Sequence, residues 1–335
     1  MIGGAKIRFD SRTWLSLAVA VPLAALLLWL ALRNIDLHEV WEKLKSARAA
    51  WFAAAVAAQL AALVLRAARW RVLLNAEGAL PFRTVFSSIA AGYLGNNVLP
   101  ARMGELIRTA AIAWAGSLSV SYVLATALTE RMVDAAALMT VASTALAATP
   151  GMPEWLHRAA RGLAVLSAIG ILGIAILPHL ERPFVKLLGY LPLGARLQSL
   201  ARQFLLGFRT LHHPSRAFQF LLLTAVIWPL DGLMAVWVGT SLGVPLGFTR
   251  AMILIAALGL SSAVPSTPGY VGVYQFVAVT VLAPLAIDRA DALAIVLLLQ
   301  AAIYLVMIVA GLAGLAQLRN LKPQASLDSS SAQRA

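Results

Sequence analysis

The sequence predicts an all-α integral membrane protein with about six full spans and two broken, re-entrant helical hairpins. Of its 335 residues, 61% are hydrophobic and 12% are charged, and the mean hydropathy is +0.82. These values lie outside the range of soluble globular proteins. Apolar runs long enough to cross a hydrocarbon core of ~30 Å recur along the chain. Two of the runs are interrupted by charges, prolines or glycines, which indicates broken helices.

The full spans are predicted wherever an apolar run is continuous. The first run follows three basic residues and ends at Arg33 without a cleavage-site pattern, so we expect an uncleaved span. A cytoplasmic N-terminus (1–12), a transmembrane domain (13–320) and a disordered cytoplasmic tail (321–335) are the expected divisions of the chain. The six spans are predicted at residues 13–32, 50–65, 119–148, 163–177, 217–241 and 291–318.

The first broken hairpin is predicted over residues 84–115. Its first arm, residues 84–99, would form a helix of only ~24 Å, which is too short to cross the membrane comfortably. We therefore expect a re-entrant hairpin whose tip lies deep in the bilayer. The residues that interrupt the apolar run are Asn96, Asn97, Pro100, Arg102, Gly104, Glu105 and Arg108.

A second broken hairpin is predicted over residues 250–284, and it aligns with the first. The segment NNVLPARMGEL (96–106) matches SSAVPSTPGYV (261–271), which places Gly104 on Gly269 at an offset of 165 residues. Three predicted spans separate the hairpins, so they should enter the membrane from opposite faces as halves of an inverted repeat. Paired broken helices in inverted halves are typical of a transporter site near the bilayer midplane.

The charge of +13 is explained by membrane topology, so nucleic acid is not expected as a partner. With the N-terminus inside, the cytoplasmic segments carry 16 Lys and Arg and the outer segments carry eight. This bias predicts that both termini are cytoplasmic in a bacterial inner membrane. The region 181–216 carries six basic residues against one acid, with apolar residues at helical spacing. This pattern predicts amphipathic helices that lie on an anionic leaflet of the membrane.

The tip of the first hairpin is the strongest candidate site. Arg102, Glu105 and Arg108 share one helix face, and Gly104 opens a half-helix whose N-terminal amides favour an anion. With Asn96 and Asn97 nearby, this tip could receive a lipid phosphate. The alternative is structural, with the arginines neutralising nearby carboxylates and holding the hairpin in place.

The third span carries Glu130, Arg131 and Asp134 on adjacent turns, and the fifth carries Asp231. A carboxylate in a desolvated site can take up a proton near neutral pH, so proton coupling is one interpretation. A structural ion-pair network with the hairpin is the other. Both interpretations stay open, because ionisable residues inside a membrane mark functional pathways as well as structural pairs.

The second hairpin offers hydroxyl groups and close backbone approach. Ser266, Thr267 and Gly269 are the candidate ligand contacts there, although ordinary small-residue helix packing explains the same pattern. The chain has no cysteine, and its five histidines fall near predicted loops. We therefore expect neither a metal site nor a cofactor.

The chain resembles the flippase-like transmembrane domain of the lysylphosphatidylglycerol synthase family over about residues 13–320. The resemblance is carried by NNxLPARxGELxR from Asn96, by ERxxD from Glu130 and by PxxPGxxG from Pro265. In long members of that family, a soluble aminoacyltransferase domain makes a lipid that the membrane domain moves across the bilayer. This chain ends at Ala335, so the resemblance implies lipid handling without aminoacyl transfer, and we expect no enzyme. Family members often have a glutamate where this chain has Gln275, which weakens carboxylate-based coupling at the second hairpin.

Three functions follow from these observations. The first is a transporter or flippase for an anionic lipid, such as a phospholipid, an aminoacylated phospholipid, a polyprenyl phosphate or a hopanoid-type lipid. The second is a membrane scaffold for a lipid-synthesis enzyme. The third is an intramembrane lipid-phosphate transferase: Asp231-Gly232 begins like such a motif, but the later residues that the motif requires are missing.

Overall fold

The computed structural model describes residues 11–99, 103–176, 213–263 and 267–320, and within these ranges it contains helices and no strand. Most of the basic segment 181–216, the tail 321–335 and both hairpin tips (100–102 and 264–266) lie outside the described residues. The helices are α1 (Ser11–Leu32), α2 (Leu37–Lys45), α3 (Ala49–Leu74), α4 (Phe82–Val98), α5 (Gly104–Gly116), α6 (Val120–Ala147), α7 (Glu154–Ile176), α8 (Pro214–Ser241), α9 (Phe248–Ser261), α10 (Val273–Leu282) and α11 (Arg289–Arg319), with short 3-10 helices at Pro268–Tyr270 and Ala283–Leu285.

The prediction of an all-α membrane protein is confirmed. Within the described ranges, five stretches are long and apolar enough to cross a membrane: α3, most of α7, α8, Pro268–Leu285 and α11. The end of α1 and α2 form a pair bent by 84°, which brings the number to six if the pair counts as one span. Helix α6 has 28 residues, or ~42 Å, but carries three charges in its middle.

Helix α3 corrects the predicted second span, which ended at residue 65. The helix continues to Leu74, so Arg66, Arg69 and Arg71 lie inside it, and the Arg69 side chain is buried. All three were counted as cytoplasmic, after the predicted second span; without them, the predicted cytoplasmic segments carry 13 basic residues against eight in the predicted outer segments. The predicted excess on the cytoplasmic side persists. The predicted fourth span is also too short, because α7 begins at Glu154.

Glycines set the geometry of the first hairpin. Helices α4 and α5 have 17 and 13 residues, or ~26 and ~20 Å, so neither matches a core of ~30 Å. Their backbones cross in close contact at Gly92, Gly95 and Gly104. A Cβ atom on Gly104 would lie 1.8 Å from the Gly92 carbonyl oxygen, and one on Gly95 would lie 2.9 Å from the Gly104 Cα. Larger residues cannot occupy this crossing.

The second hairpin changes direction through residues in the left-handed region. Gly269, Tyr270 and Gly272 have φ values of 70°, 61° and 86°. Glycine adopts such angles without strain, whereas the tyrosine does not. A Cβ atom on Gly272 would lie 2.3 Å from the Ala24 carbonyl oxygen, because α1 packs directly on this turn.

The structure repeats the order of its elements. Helices α3 to α6 correspond to α8 to α11, and the first residues of α3 and α8, Ala49 and Pro214, are 165 residues apart. The packing repeats too: α3 contacts α4 and α6 as α8 contacts α9 and α11. The contacts between the halves are exchanged in the same way: α4 of the first half packs on α11 of the second, and α9 of the second half packs on α6 of the first. Such an exchange is expected of two halves related by a pseudo-twofold axis.

Helices α3 and α8 show that this repeat is inverted. At one end, the Arg48 amide donates to the Ser241 carbonyl oxygen (2.9 Å), and at the other Arg69 Nη1 donates to Thr224 Oγ1 (3.1 Å). The start of one helix therefore meets the end of the other, so the pair is antiparallel. An axis that exchanges two antiparallel helices runs perpendicular to both. It lies in the membrane plane when they span the bilayer.

Candidate functional site

A continuous chain of ion pairs joins α3, α5 and α6. Arg69 of α3 lies between Glu130 and Asp134 of α6, with Nη2 2.9 Å from Glu130 Oε1 and Nη1 2.6 Å from Asp134 Oδ1. The two carboxylates are one helical turn apart and therefore share a face. The Arg69 side chain is 1% exposed and also lies over the Phe220 ring at 5.3 Å. This pairing offsets the cost of burying Arg69 inside α3.

The same chain continues to the first hairpin. Arg108 of α5 donates through Nε to Glu105 (2.6 Å) and through Nη1 to Glu130 (3.1 Å). Its guanidinium lies 4.7 Å from the centroid of the Trp70 ring, and the side chain is 1% exposed. Arg131 of α6 pairs with the other Glu105 oxygen at 2.5 Å. The chain therefore runs from Asp134 to Arg131 through alternating charges and fastens the hairpin to α6.

A separate ion pair lies on the boundary between the halves. Arg66 of α3 pairs with Asp231 of α8. These positions are 165 residues apart, so they are equivalent in the two halves of the repeat. Counting this pair, the described arginines Arg66, Arg69, Arg108 and Arg131 match four acids: Glu105, Glu130, Asp134 and Asp231.

The second half holds its hairpin with neutral hydrogen bonds instead. Gln275 accepts from the Gly272 amide (2.7 Å) and donates to Gln300 (2.5 Å), which in turn donates to the Gly269 carbonyl oxygen (3.0 Å). Tyr304 donates to the same carbonyl. The residues equivalent to Arg69, Glu130 and Asp134 are Met234, Ile295 and Leu299, all apolar. Gln275 therefore connects the turn to α11 without any charge.

A cavity of about 490 Å³ lies between the two halves. Its wall includes two arginines, two aspartates and several uncharged polar side chains, and the rest of the wall is aromatic and aliphatic. The Arg66 guanidinium lies 5.7 Å from the centroid of the Trp228 ring, whose Nε1 donates to Asp134 (3.3 Å). The polar and aromatic lining residues are Gln59, Arg66, Tyr93, Asn96, Asn97, Arg131, Asp134, Trp228, Asp231, Ser262, Tyr270 and Tyr274. Such a mixture suits an amphipathic ligand.

The predicted site residues fall into three groups. The cavity wall contains Asn96, Asn97, Arg131, Asp134 and Asp231. The remaining described candidates do not line it: Glu105, Arg108 and Glu130 belong to the ion-pair chain, Thr267 donates to the Val271 carbonyl oxygen (2.9 Å), and Gly269 packs against Tyr304. Arg102 and Ser266 lie outside the described residues.

Arg66, Arg69 and the aromatic side of the cavity were not among the residues predicted from the sequence. One signal was available for Arg66, because Asp231 lies at the same position of the repeat. The four rings, Tyr93, Trp228, Tyr270 and Tyr274, come from α4, α8 and the second hairpin. No local pattern connects residues that far apart in the chain.

Comparisons with known proteins point to membrane lipids. The family model described as "Lysylphosphatidylglycerol synthase TM region" matches residues 13–311. The chain is also 27% identical over 360 aligned residues to a protein of Haloferax volcanii named glycosyltransferase AglD. That alignment covers 92% of this chain but 57% of the relative, so the chain spans little more than half of that protein's length.

Proposed function

We propose that this chain, which belongs to the lysylphosphatidylglycerol synthase TM region family, binds an anionic membrane lipid in the cavity between its halves and moves it across the bilayer. The cavity is bordered by both broken hairpins, which is the position of the substrate in transporters built from inverted repeats. Its aliphatic wall suits a lipid chain, while its arginines suit a phosphate.

The observation that carries the proposal is the position of Arg131. Its side chain is 41% exposed and lines the cavity, whereas Arg69 and Arg108 are 1% exposed and engaged elsewhere. A guanidinium has five N–H donors, so a phosphate can bind while Nη2 keeps its pair with Glu105. Arg66 adds a second cation to the same wall.

Arg131→Gln is therefore expected to slow translocation of anionic lipid by about tenfold or more, since a hydrogen bond to a charged group contributes about 1.5–3 kcal/mol. The measurement is movement of labelled phosphatidylglycerol in proteoliposomes, with phosphatidylcholine as the zwitterionic comparison. Arg161→Gln is the matched control, because Arg161 pairs with Glu154 on the exposed part of α7. Equal loss in both variants, or none in Arg131→Gln, would contradict the site. Arg102→Ala tests the predicted hairpin tip in the same assay.

Both termini are proposed to be cytoplasmic in a bacterial inner membrane. The absence of native cysteine makes this directly testable. A cysteine at Asn34, after α1, should react with an impermeant maleimide added outside intact cells. A cysteine at Asn320, after α11, should react only once the membrane is opened. The reverse pattern would invert the topology.

A membrane scaffold for a lipid-synthesis enzyme is the second candidate. It is favoured by the relative named as a glycosyltransferase, because the alignment leaves a large part of that protein unmatched. This function predicts that a lipid-synthesis enzyme co-purifies with the chain and that the chain alone moves no lipid. Translocation by the purified chain would exclude a scaffold role as its sole function.

A further inference from the structure

We propose that the lipid received by the cavity carries a polyhydroxyl ring, a sugar or a cyclitol, next to its phosphate. This inference rests on the proposed function, because it takes the cavity to be the lipid site. It names the class of head group from two properties of the wall. One is a set of aromatic rings, and the other is a balanced set of hydrogen-bond donors and acceptors.

The rings form the first part of the argument. Tyr270 and Tyr274 stack with centroids 4.7 Å apart and an interplanar angle of 9°, and both line the cavity. Tyr93 and Trp228 add rings from α4 and α8. The C–H face of a pyranose or cyclitol ring is apolar and flat, so it packs on an aromatic face. A phosphate or a glycerol unit has no such face and gains nothing from these rings.

The position of Tyr270 strengthens this point. Its backbone has a φ of 61°, a conformation that costs a non-glycine residue free energy and is often found at binding sites. Gly269 and Gly272 on either side adopt the same region at no such cost. A glycine at position 270 would relieve the strain but remove the ring. The chain therefore keeps a tyrosine at the cavity wall in a strained conformation.

The polar wall forms the second part of the argument. Arg66 and Arg131 are matched there by Asp134 and Asp231, so the described wall has no excess positive charge. A wall made only for phosphate would carry an excess. Hydroxyl groups both donate and accept hydrogen bonds. They can donate to the carboxylate oxygens, and they can donate to or accept from the side-chain amides of Gln59, Asn96 and Asn97. The wall thus offers one or two cations for the phosphate and several partners for hydroxyls.

The inference can be tested by binding, independently of transport. Three short-chain phosphodiester lipids with identical acyl chains and a single negative charge serve as probes: phosphatidylglycerol, phosphatidylinositol and phosphatidylglucose. Calorimetric titration into the full-length chain in detergent is expected to give at least one ring lipid a Kd about tenfold lower than phosphatidylglycerol. Inositol phosphate without a lipid is expected to compete far more weakly. If inositol phosphate competes as strongly as the lipids do, the inference that the ligand is a lipid is overturned.

Variants of Tyr274 separate recognition from folding. Tyr274→Leu is expected to raise the Kd of the preferred ring lipid to that of phosphatidylglycerol, whereas Tyr274→Phe keeps the ring and most of the preference. Trp114→Leu is the control, since Trp114 is an exposed aromatic residue on α5 outside the cavity wall. Equal affinity of wild type for all three lipids, or equal weakening of all three by Tyr274→Leu, would overturn the inference.

The transport assay distinguishes this inference from the proposed function. Ring-selective binding without translocation of any lipid would overturn the transporter proposal and support the inference. Translocation without ring selectivity would do the reverse. Selective binding together with faster movement of the ring lipid is the result expected if both hold.

Discussion

Arg69→Met is expected to lower the free energy of unfolding by about 3–5 kcal/mol, because it leaves Glu130 and Asp134 buried without their shared cation. The cost comes from Asp134, which is left with the Trp228 N–H and no cation, and from Glu130, which is left with Arg108 alone, and not only from the lost attraction. The measurement is unfolding in mixed micelles titrated with SDS. Arg83→Met is the matched control, since Arg83 is exposed at the start of α4, and its effect should stay within about 0.5 kcal/mol.

The second half of the repeat supplies a rescue for this variant. Arg69, Arg108, Glu130 and Asp134 correspond to Met234, Val273, Ile295 and Leu299. A fourfold variant carrying Arg69→Met, Arg108→Val, Glu130→Ile and Asp134→Leu should recover most of the lost stability, because a buried ion network replaced as a whole by apolar residues is often neutral or stabilising. It keeps the Glu105–Arg131 pair. Failure of the rescue, or wild-type stability of Arg69→Met alone, would contradict the account of the network.

Gly104→Ala is expected to destabilise the chain by about 3 kcal/mol or more. The new Cβ would lie 1.8 Å from the Gly92 carbonyl oxygen and 2.6 Å from the Asn96 amide nitrogen, and both are backbone atoms that cannot rotate away. Helices α4 and α5 must therefore separate. The separation would also pull Arg108 and Glu105 from the ion-pair chain.

Gly162→Ala provides the comparison for Gly104→Ala. It makes the same chemical change within α7, where nothing lies within 4 Å of the added Cβ. Alanine is the better helix former by about 1 kcal/mol, so this variant should be as stable as wild type or slightly more stable. Thermal unfolding of both variants in the same detergent is the measurement. Similar melting temperatures for the two would contradict a close crossing at Gly104.

The sequence alone predicted most of the architecture. The two hairpins and the 165-residue offset followed from a short match around Gly104 and Gly269, and the structure extends that offset to the first residues of α3 and α8. The clustering of Glu130, Arg131 and Asp134 followed from helical spacing. These features depend on residues that are close in the chain or on a repeated pattern, and both can be recognised in a sequence without knowing which residues touch in the fold.

The boundary of α3 could not be predicted in this way. An arginine after an apolar run ordinarily marks the end of a span, since its charge is costly in hydrocarbon. Arg69 overrides this rule because Glu130 and Asp134, more than 60 residues later, remove the cost. The cavity wall is hidden for the same reason: its rings are contributed by separate elements, and each alone is typical of an ordinary membrane helix.

The ion pair between Arg66 and Asp231 also favours contact between the two different halves over contact between two copies of the same half. Because the two residues occupy equivalent positions, two copies of the first half joined in the same manner would bring Arg66 against Arg66. Two copies of the second half would bring Asp231 against Asp231. Like charges facing each other in a buried contact repel, whereas the mixed pair attracts. The contact between the halves is therefore not self-complementary, unlike the interface of a symmetric dimer.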